Sequence, residues 1–222
     1  MPILRSAPPS PFGRKVKIAA AILGLKGSIT IENTDTASPD DSIRQQNPLG
    51  KIPALVLDDG TTLFDSRVIL EYLDHLAGGN KIIPAGEARF AALRNQALAD
   101  GLMDAAILQV YEKRFRPAQY RFADWSNYQA EKVKRVLAAW EAARPAPVNS
   151  GDDLDVGTIT IACALGYLDL RFGGDWRADH PKLSAWIDAV EDAVPAFADT
   201  KLPPAPVPTW VIVAVFCTLL LL

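Results

Sequence analysis

Gly50-Lys51-Ile52-Pro53-Ala54-Leu55-Val56-Leu57-Asp58-Asp59-Gly60-Thr61-Thr62-Leu63-Phe64-Asp65-Ser66 is the stretch that decides the fold. Two short runs, Ala54–Leu57 and Thr61–Phe64, flank Asp58-Asp59-Gly60, whose residue types suit the tight turn of an antiparallel hairpin. Asp65-Ser66 then caps a helix with Val68, Ile69, Tyr72, Leu73 and Leu76 on one face, stopped by Gly78-Gly79-Asn80. Reading outward toward the start, Ile3-Leu4 is a short strand ended by Ala7-Pro8-Pro9. Ser10-Pro11 fits an N-cap followed by a first helical residue. Val16, Ala19, Ala20 and Leu23 recur at helical spacing up to Gly24 and Gly27. Ser28–Glu32, with Ile29 and Ile31, predicts a half-buried strand, and Ser38–Gln46 a short helix closed by an Asn47-Pro48 turn. The order is β-α-β-α-β-β-α, with parallel pairing across the long crossover and antiparallel pairing in the hairpin.

Reading outward toward the other end, the period changes. A long helix is predicted from Glu87 to about Phe115 and another from Trp125 to about Ala143, broken by Arg144-Pro145-Ala146-Pro147. Asp155 caps a third helix. Ile159, Ile161, Ala162, Leu165 and Leu168 make it apolar nearly all round, as a central buried helix is. Pro181 and Val194-Pro195 bracket a fourth. The fold class is therefore an α/β first domain over 1–80 and an all-α domain over 87–202, joined by 81–86. A tail over 203–222 has no assigned role.

With 49% hydrophobic and 22% charged residues, the chain has enough apolar surface for a sizeable core. Its net charge of −3 is spread out, so nothing marks a nucleic-acid partner. Cys163 and Cys217 have no metal-type spacing and His75 and His180 stand alone, so neither a metal nor a disulfide framework is expected. Met1–Arg5 carries no apolar signal region, which points to the cytoplasm. Trp210–Leu222 is apolar but only 13 residues long. A spanning helix needs about 20, so a short buried or partner-covering segment, or a reading-frame artefact, fits better than an anchor.

Three spots carry chemistry. Ser10 starts a helix, where free N–H groups and the helix dipole favour an anion; by itself the residue reads as a plain N-cap. Ile52-Pro53 enters the hairpin. Either a plain strand-entry turn or a cis bond, which costs only about 0.5–1 kcal/mol over trans, fits there. A cis bond would leave the Ile52 backbone free to pair with a peptide-like ligand. Asp65-Ser66 opens a second helix with a carboxylate beside free amides, which suits an α-amino acid head group or a plain cap.

Taken together, these motifs resemble the soluble glutathione S-transferase family, of the bacterial type with serine at the thiol-activating position. The carriers are Ser10-Pro-Phe-Gly-Arg-Lys-Val16, Asn47-Pro-Leu-Gly-Lys-Ile-Pro53-Ala-Leu55 and Phe64-Asp-Ser66 with Ile69-Leu-Glu-Tyr72. In the second half, Gln96–Asp104, Ala162–Asp169 and His180–Leu183 resemble the family's helical domain. The resemblance implies a thioredoxin-like first domain, a homodimer, glutathione as co-substrate and a small hydrophobic electrophile as acceptor. Ser10 would hydrogen-bond the glutathione sulfur, Ile52 before cis-Pro53 would pair with the cysteinyl part, Asp65 and Ser66 would hold the γ-glutamyl end, and Lys51 would approach the glycine carboxylate. The acceptor pocket would take Phe12, Met103, Ile107, Tyr111 and Phe115, a set that also reads as ordinary core. Ser6 is a second hydroxyl, ranked below Ser10 because it starts no helix. At Asp155 and Thr158 the order of a capping box is reversed, so a cap is expected there without the box. A non-catalytic partner-binding protein and a glutathione-dependent isomerase of a small unsaturated acid remain as alternatives. A basic pocket with Arg14 or Arg114 would favour the isomerase.

Overall fold

The computed structural model describes residues 1–202. Its first half contains β1 (Ile3–Ser6), α1 (Pro11–Ile22), β2 (Thr30–Asn33), α2 (Ile43–Gln46), β3 (Ala54–Val56), β4 (Thr62–Leu63) and α3 (Ser66–Leu76). The four strands lie in the order β2-β1-β3-β4. β1 and β2 are parallel, and the other two pairs are antiparallel. This is the crossover-plus-hairpin arrangement that the sequence predicts. Alternation along β1 divides its side chains between the two faces. Leu4 joins Val16, Ala20, Leu55, Ile69 and Leu73 in the core beneath α1 and α3. Arg5 faces the other way. It is 2% exposed and donates to Thr34, Ser42, Gln46 and Asp41 over 2.7–2.9 Å, holding α2 and the segment before it against the sheet.

One expectation fails. The strand predicted as half-buried, β2, is exposed at all four positions, with Ile31 at 56%. It lies at the sheet edge, and only Ile29, just before it, reaches the core under α1. Alternation in a short segment shows that one face is apolar, not that anything covers it.

The second half is helical: α4 (Ala88–Phe115), α5 (Ala123–Ala142), α6 (Val156–Phe172), α7 (Trp176–Asp179), α8 (Pro181–Ala193) and α9 (Pro195–Asp199). α6 is buried along most of its length, as its all-round apolarity predicts. Asp155 accepts from Thr158 N at 2.7 Å and from Thr158 Oγ1 at 2.8 Å, a cap without the reciprocal box. The start of the segment between the halves is tied to both of them. The Asp74 carboxylate accepts the N–H groups of Asn80, Lys81 and Ile82 at 2.8–2.9 Å, and the Ile82 carbonyl accepts from Val156 N at 2.7 Å. The apolar tail singled out from the sequence lies outside the described residues.

Candidate functional site

Ser10 has extended backbone angles and is the N-cap of α1, its Oγ accepting from Gly13 N at 3.1 Å. Capping uses one lone pair and leaves the hydroxyl proton free to donate away from the helix. Ser10 is part-exposed, whereas the Ser6 hydroxyl is enclosed and has no hydrogen-bond partner among the described residues. The Ser6 oxygen lies only 2.1 Å from where a Cβ on Gly13 would stand, so α1 packs directly on the end of β1.

The Ile52–Pro53 peptide is cis. The loop before it is folded by Asn47, which is 1% exposed, donates from Nδ2 to Lys51 O at 2.9 Å and accepts from Leu49 N at 3.0 Å. Gly50 completes the turn at φ 59°, a left-handed conformation that suits glycine. Lys51 is exposed and Ile52 half-buried. Asp65 caps α3 by accepting from Arg67 N at 2.9 Å; its carboxylate is exposed, while Ser66 behind it is buried.

The sheet register brings these three spots to one end. Arg5 near the end of β1 pairs with Ala54 at the start of β3, and Leu55 pairs with Leu63 at the end of β4. The starts of α1, β3 and α3 therefore share one end of the sheet.

Beneath them is a charged network not foreseen from the sequence. Asp100 on α4 is 1% exposed and bonds Lys15 Nζ of α1 at 2.6 Å and Arg67 Nε of α3 at 2.8 Å. Burial pulls the Lys15 ammonium down from its ordinary pKa, opposed by Asp100. The bond to Asp100 raises that of Arg67. One turn further along α4, the Asp104 carboxyl is pushed up by burial and by Asp100, against the pull of Arg67 and Lys51. Asp100 and Gln96 are polar residues one turn apart on a helix whose buried positions are otherwise mostly apolar. That is the sequence signal for a buried ion pair, but its partners lie on two other helices.

The five acceptor candidates are dispersed. Met103 is fully buried, Phe12 and Ile107 are half-buried against the core, and Tyr111 and Phe115 are exposed with ring centroids 5.1 Å apart. None lines the cleft of about 340 Å³ beside Ser10, which opens between the Pro8–Pro11 turn, the second half of α6 and Thr200–Leu202. Among the described residues, no group of three His, Cys, Asp or Glu could hold a metal ion, and no helix is long and apolar enough to cross a membrane.

Comparison with known proteins fits this geometry. Residues 9–76 match the model for the glutathione S-transferase N-terminal domain, and residues 89–189 that for the C-terminal domain. The uncharacterised GST-like protein YibF of Escherichia coli K12 is 36% identical over 200 residues, covering 88% of this chain and 96% of its own. A glutathione transferase family member from Pseudomonas fluorescens Pf-5 with bound glutathione is 39% identical, with a TM-score of 0.82 over 91% of this chain and 100% of its own. The same relative, with bound S-(propanoic acid)-glutathione, aligns over those shares at 39% identity with a TM-score of 0.79. A glutathione S-transferase from Methylobacillus flagellatus KT with glutathione bound is 35% identical, with a TM-score of 0.82 over 92% of this chain and 100% of its own. The chain belongs to the glutathione S-transferase family.

Proposed function

We propose that this protein is a glutathione transferase in which Ser10 stabilises the glutathione thiolate for attack on a small electrophile. The observation that carries the reading is the gathering of three features at one end of the sheet: the capped start of α1, the cis Ile52–Pro53 entry to β3, and Asp65-Ser66 at the start of α3. Residues 1–80 supply the glutathione site and residues 87–202 the acceptor side. Asp65 and Ser66 hold the γ-glutamyl end, the Ile52 backbone pairs with the cysteinyl part, and Lys51 meets the glycine carboxylate. The same reading carries a homodimer in the cytoplasm, acting in detoxification.

The energies suffice without a general base. Lowering a thiol from about 8.5 by one or two units takes roughly 1.4–2.7 kcal/mol. A hydrogen bond to a charged acceptor supplies about 1.5–3, and a helix start adds about 0.3–1. Ser10 acts as stabiliser and the glutathione sulfur as nucleophile. The conjugate held by the Pseudomonas relative, S-(propanoic acid)-glutathione, is the type of product that such a step forms.

The test is calorimetric titration with reduced glutathione at pH 7 in two buffers of different ionisation enthalpy. Binding accompanied by proton release is expected. No heat at millimolar glutathione would leave a non-catalytic, partner-binding protein of the same fold.

A further inference from the structure

The cleft beside Ser10 has apolar walls and an unusual charge. Pro8, Pro9, Pro11, Leu170 and Leu202 line it, with Tyr167 rising from α6. Arg14 also lines it, one helical turn after Ser10, its backbone N–H bonded to the Ser10 carbonyl at 2.9 Å. The Arg14 side chain is 8% exposed and lies flush on α6, with Nη1 2.3 Å from where a Cβ on Gly166 would be. Among the described residues it donates to neutral oxygens, Nε to Thr200 Oγ1 at 3.1 Å and Nη2 to the Phe197 carbonyl at 2.8 Å.

Among the described residues no carboxylate pairs with Arg14. Asp169, in the same cleft, is taken by Trp176 Nε1 at 2.8 Å and by Arg177 at 2.6 and 3.0 Å. Asp100 is taken by Lys15 and Arg67. The Cys163 thiol in the cleft lining is pushed up to about 11 by burial, so it is neutral at pH 7. Lys17 on the same helix and Lys201 at the rim add positive charge; Lys201 is paired with Glu191. A buried charge is normally paired, because removing it from water is costly. Here no described residue supplies the neutralising anion, and the guanidinium lines the space next to the residue that would hold the thiolate.

We infer that this cleft receives an electrophile bearing a carboxylate, with Arg14 as the counter-charge that selects and orients it. The inference rests on the glutathione-transferase reading and refines its acceptor from a merely hydrophobic molecule to a small organic acid with an apolar body. For a 2-halo acid, the glutathione thiolate forms a C–S bond at the carbon bearing the halogen. The carbon–halogen bond breaks, halide departs with the electron pair, and the thiol proton goes to solvent. The carboxylate stays ionised on Arg14 throughout.

Iodoacetate and iodoacetamide separate charge from reactivity and size. For each, kcat/KM is divided by the rate constant of the uncatalysed reaction with glutathione, and glutathione affinity is read in parallel by calorimetry. A charge-assisted hydrogen bond is worth roughly a 10- to 100-fold preference. The wild-type enhancement for the acid is therefore expected to exceed that for the amide by at least about ten-fold, and Arg14→Met to remove most of that ratio. Butanoate should also inhibit wild-type protein competitively against iodoacetate while butanamide does not, a measurement that stands even if Arg14→Met fails to fold. Equal enhancement of acid and amide with glutathione bound overturns the carboxylate site alone. So does an acid preference that survives Arg14→Met. Absence of glutathione binding instead overturns the reading beneath it.

Discussion

Replacing Asp100 with leucine isolates the network under the candidate site. In the folded protein Lys15 is 0% exposed and its ammonium has Asp100 Oδ1 at 2.6 Å, while Arg67, the other partner, is half in solvent. Removing the shared carboxylate leaves the lysine as a buried unpaired cation, a change that costs about 3–5 kcal/mol. Arg67 loses an ion pair but keeps its hydration, which adds only about 0–1 kcal/mol. In a chain of this size about 1 kcal/mol shifts Tm by roughly 2–4 °C, so the variant should melt roughly 6–24 °C below wild type. The double variant Lys15→Met with Asp100→Leu replaces the buried pair by hydrocarbon of similar length and should recover most of the loss. The assay is a double-mutant cycle by thermal and urea unfolding, with the coupling term read directly. Two results would refute the reasoning: an Asp100→Leu cost below about 1 kcal/mol, or a double variant whose loss equals the sum of the singles.

Three further outcomes are expected. Ser10→Ala should cost about 1 kcal/mol of stability through the lost cap. In calorimetry it should abolish the proton release on glutathione binding, because the thiol returns toward its ordinary pKa. Asp74→Ala should strip the acceptor from four backbone N–H groups, cost roughly 2–4 kcal/mol, and speed hydrogen exchange from Asn80 to Ile83 ahead of the rest of the chain. Burial of Cys163 favours the protonated thiol in the native state, whereas the unfolded chain loses that proton near pH 9. Stability from this group is thus complete below pH 9 and is lost as pH rises toward about 11; wild type should lose up to about 2 kcal/mol more than Cys163→Ala across that window, measured by urea midpoints.

Local chemistry made most of the element order legible. Ser10-Pro11, Asp58-Asp59-Gly60, Asp65-Ser66 and Asp155 each announce a boundary within a few residues, and the structure places a helix start or turn at each. Burial was less legible where it depends on what comes to lie on top. Ile31 has the alternation of a covered strand and stands at a bare edge. The Lys15–Asp100–Arg67 network joins side chains from three helices, and no spacing within one segment encodes it. Of the acceptor candidates, Met103, Ile107, Tyr111 and Phe115 share a stripe on α4 and Phe12 lies on α1, whereas the cleft beside Ser10 is walled by α6 and the segment after α9, elements far away in sequence. The apolar tail over 210–222 adds nothing to this comparison, since it lies outside the described residues.

The arginine that fastens α2 has a thermodynamic consequence. α2 is held by a guanidinium with four oxygen acceptors, and Ile43 is its buried side chain. Releasing it exposes mostly polar surface, and polar surface contributes a negative heat-capacity change where hydrocarbon contributes a positive one. The segment leading to Lys51 and Ile52 is therefore anchored with a smaller positive heat-capacity change per unit of surface than the helical half, which depends on hydrophobic burial. One end of the candidate site and the body that supports it thus respond differently to temperature.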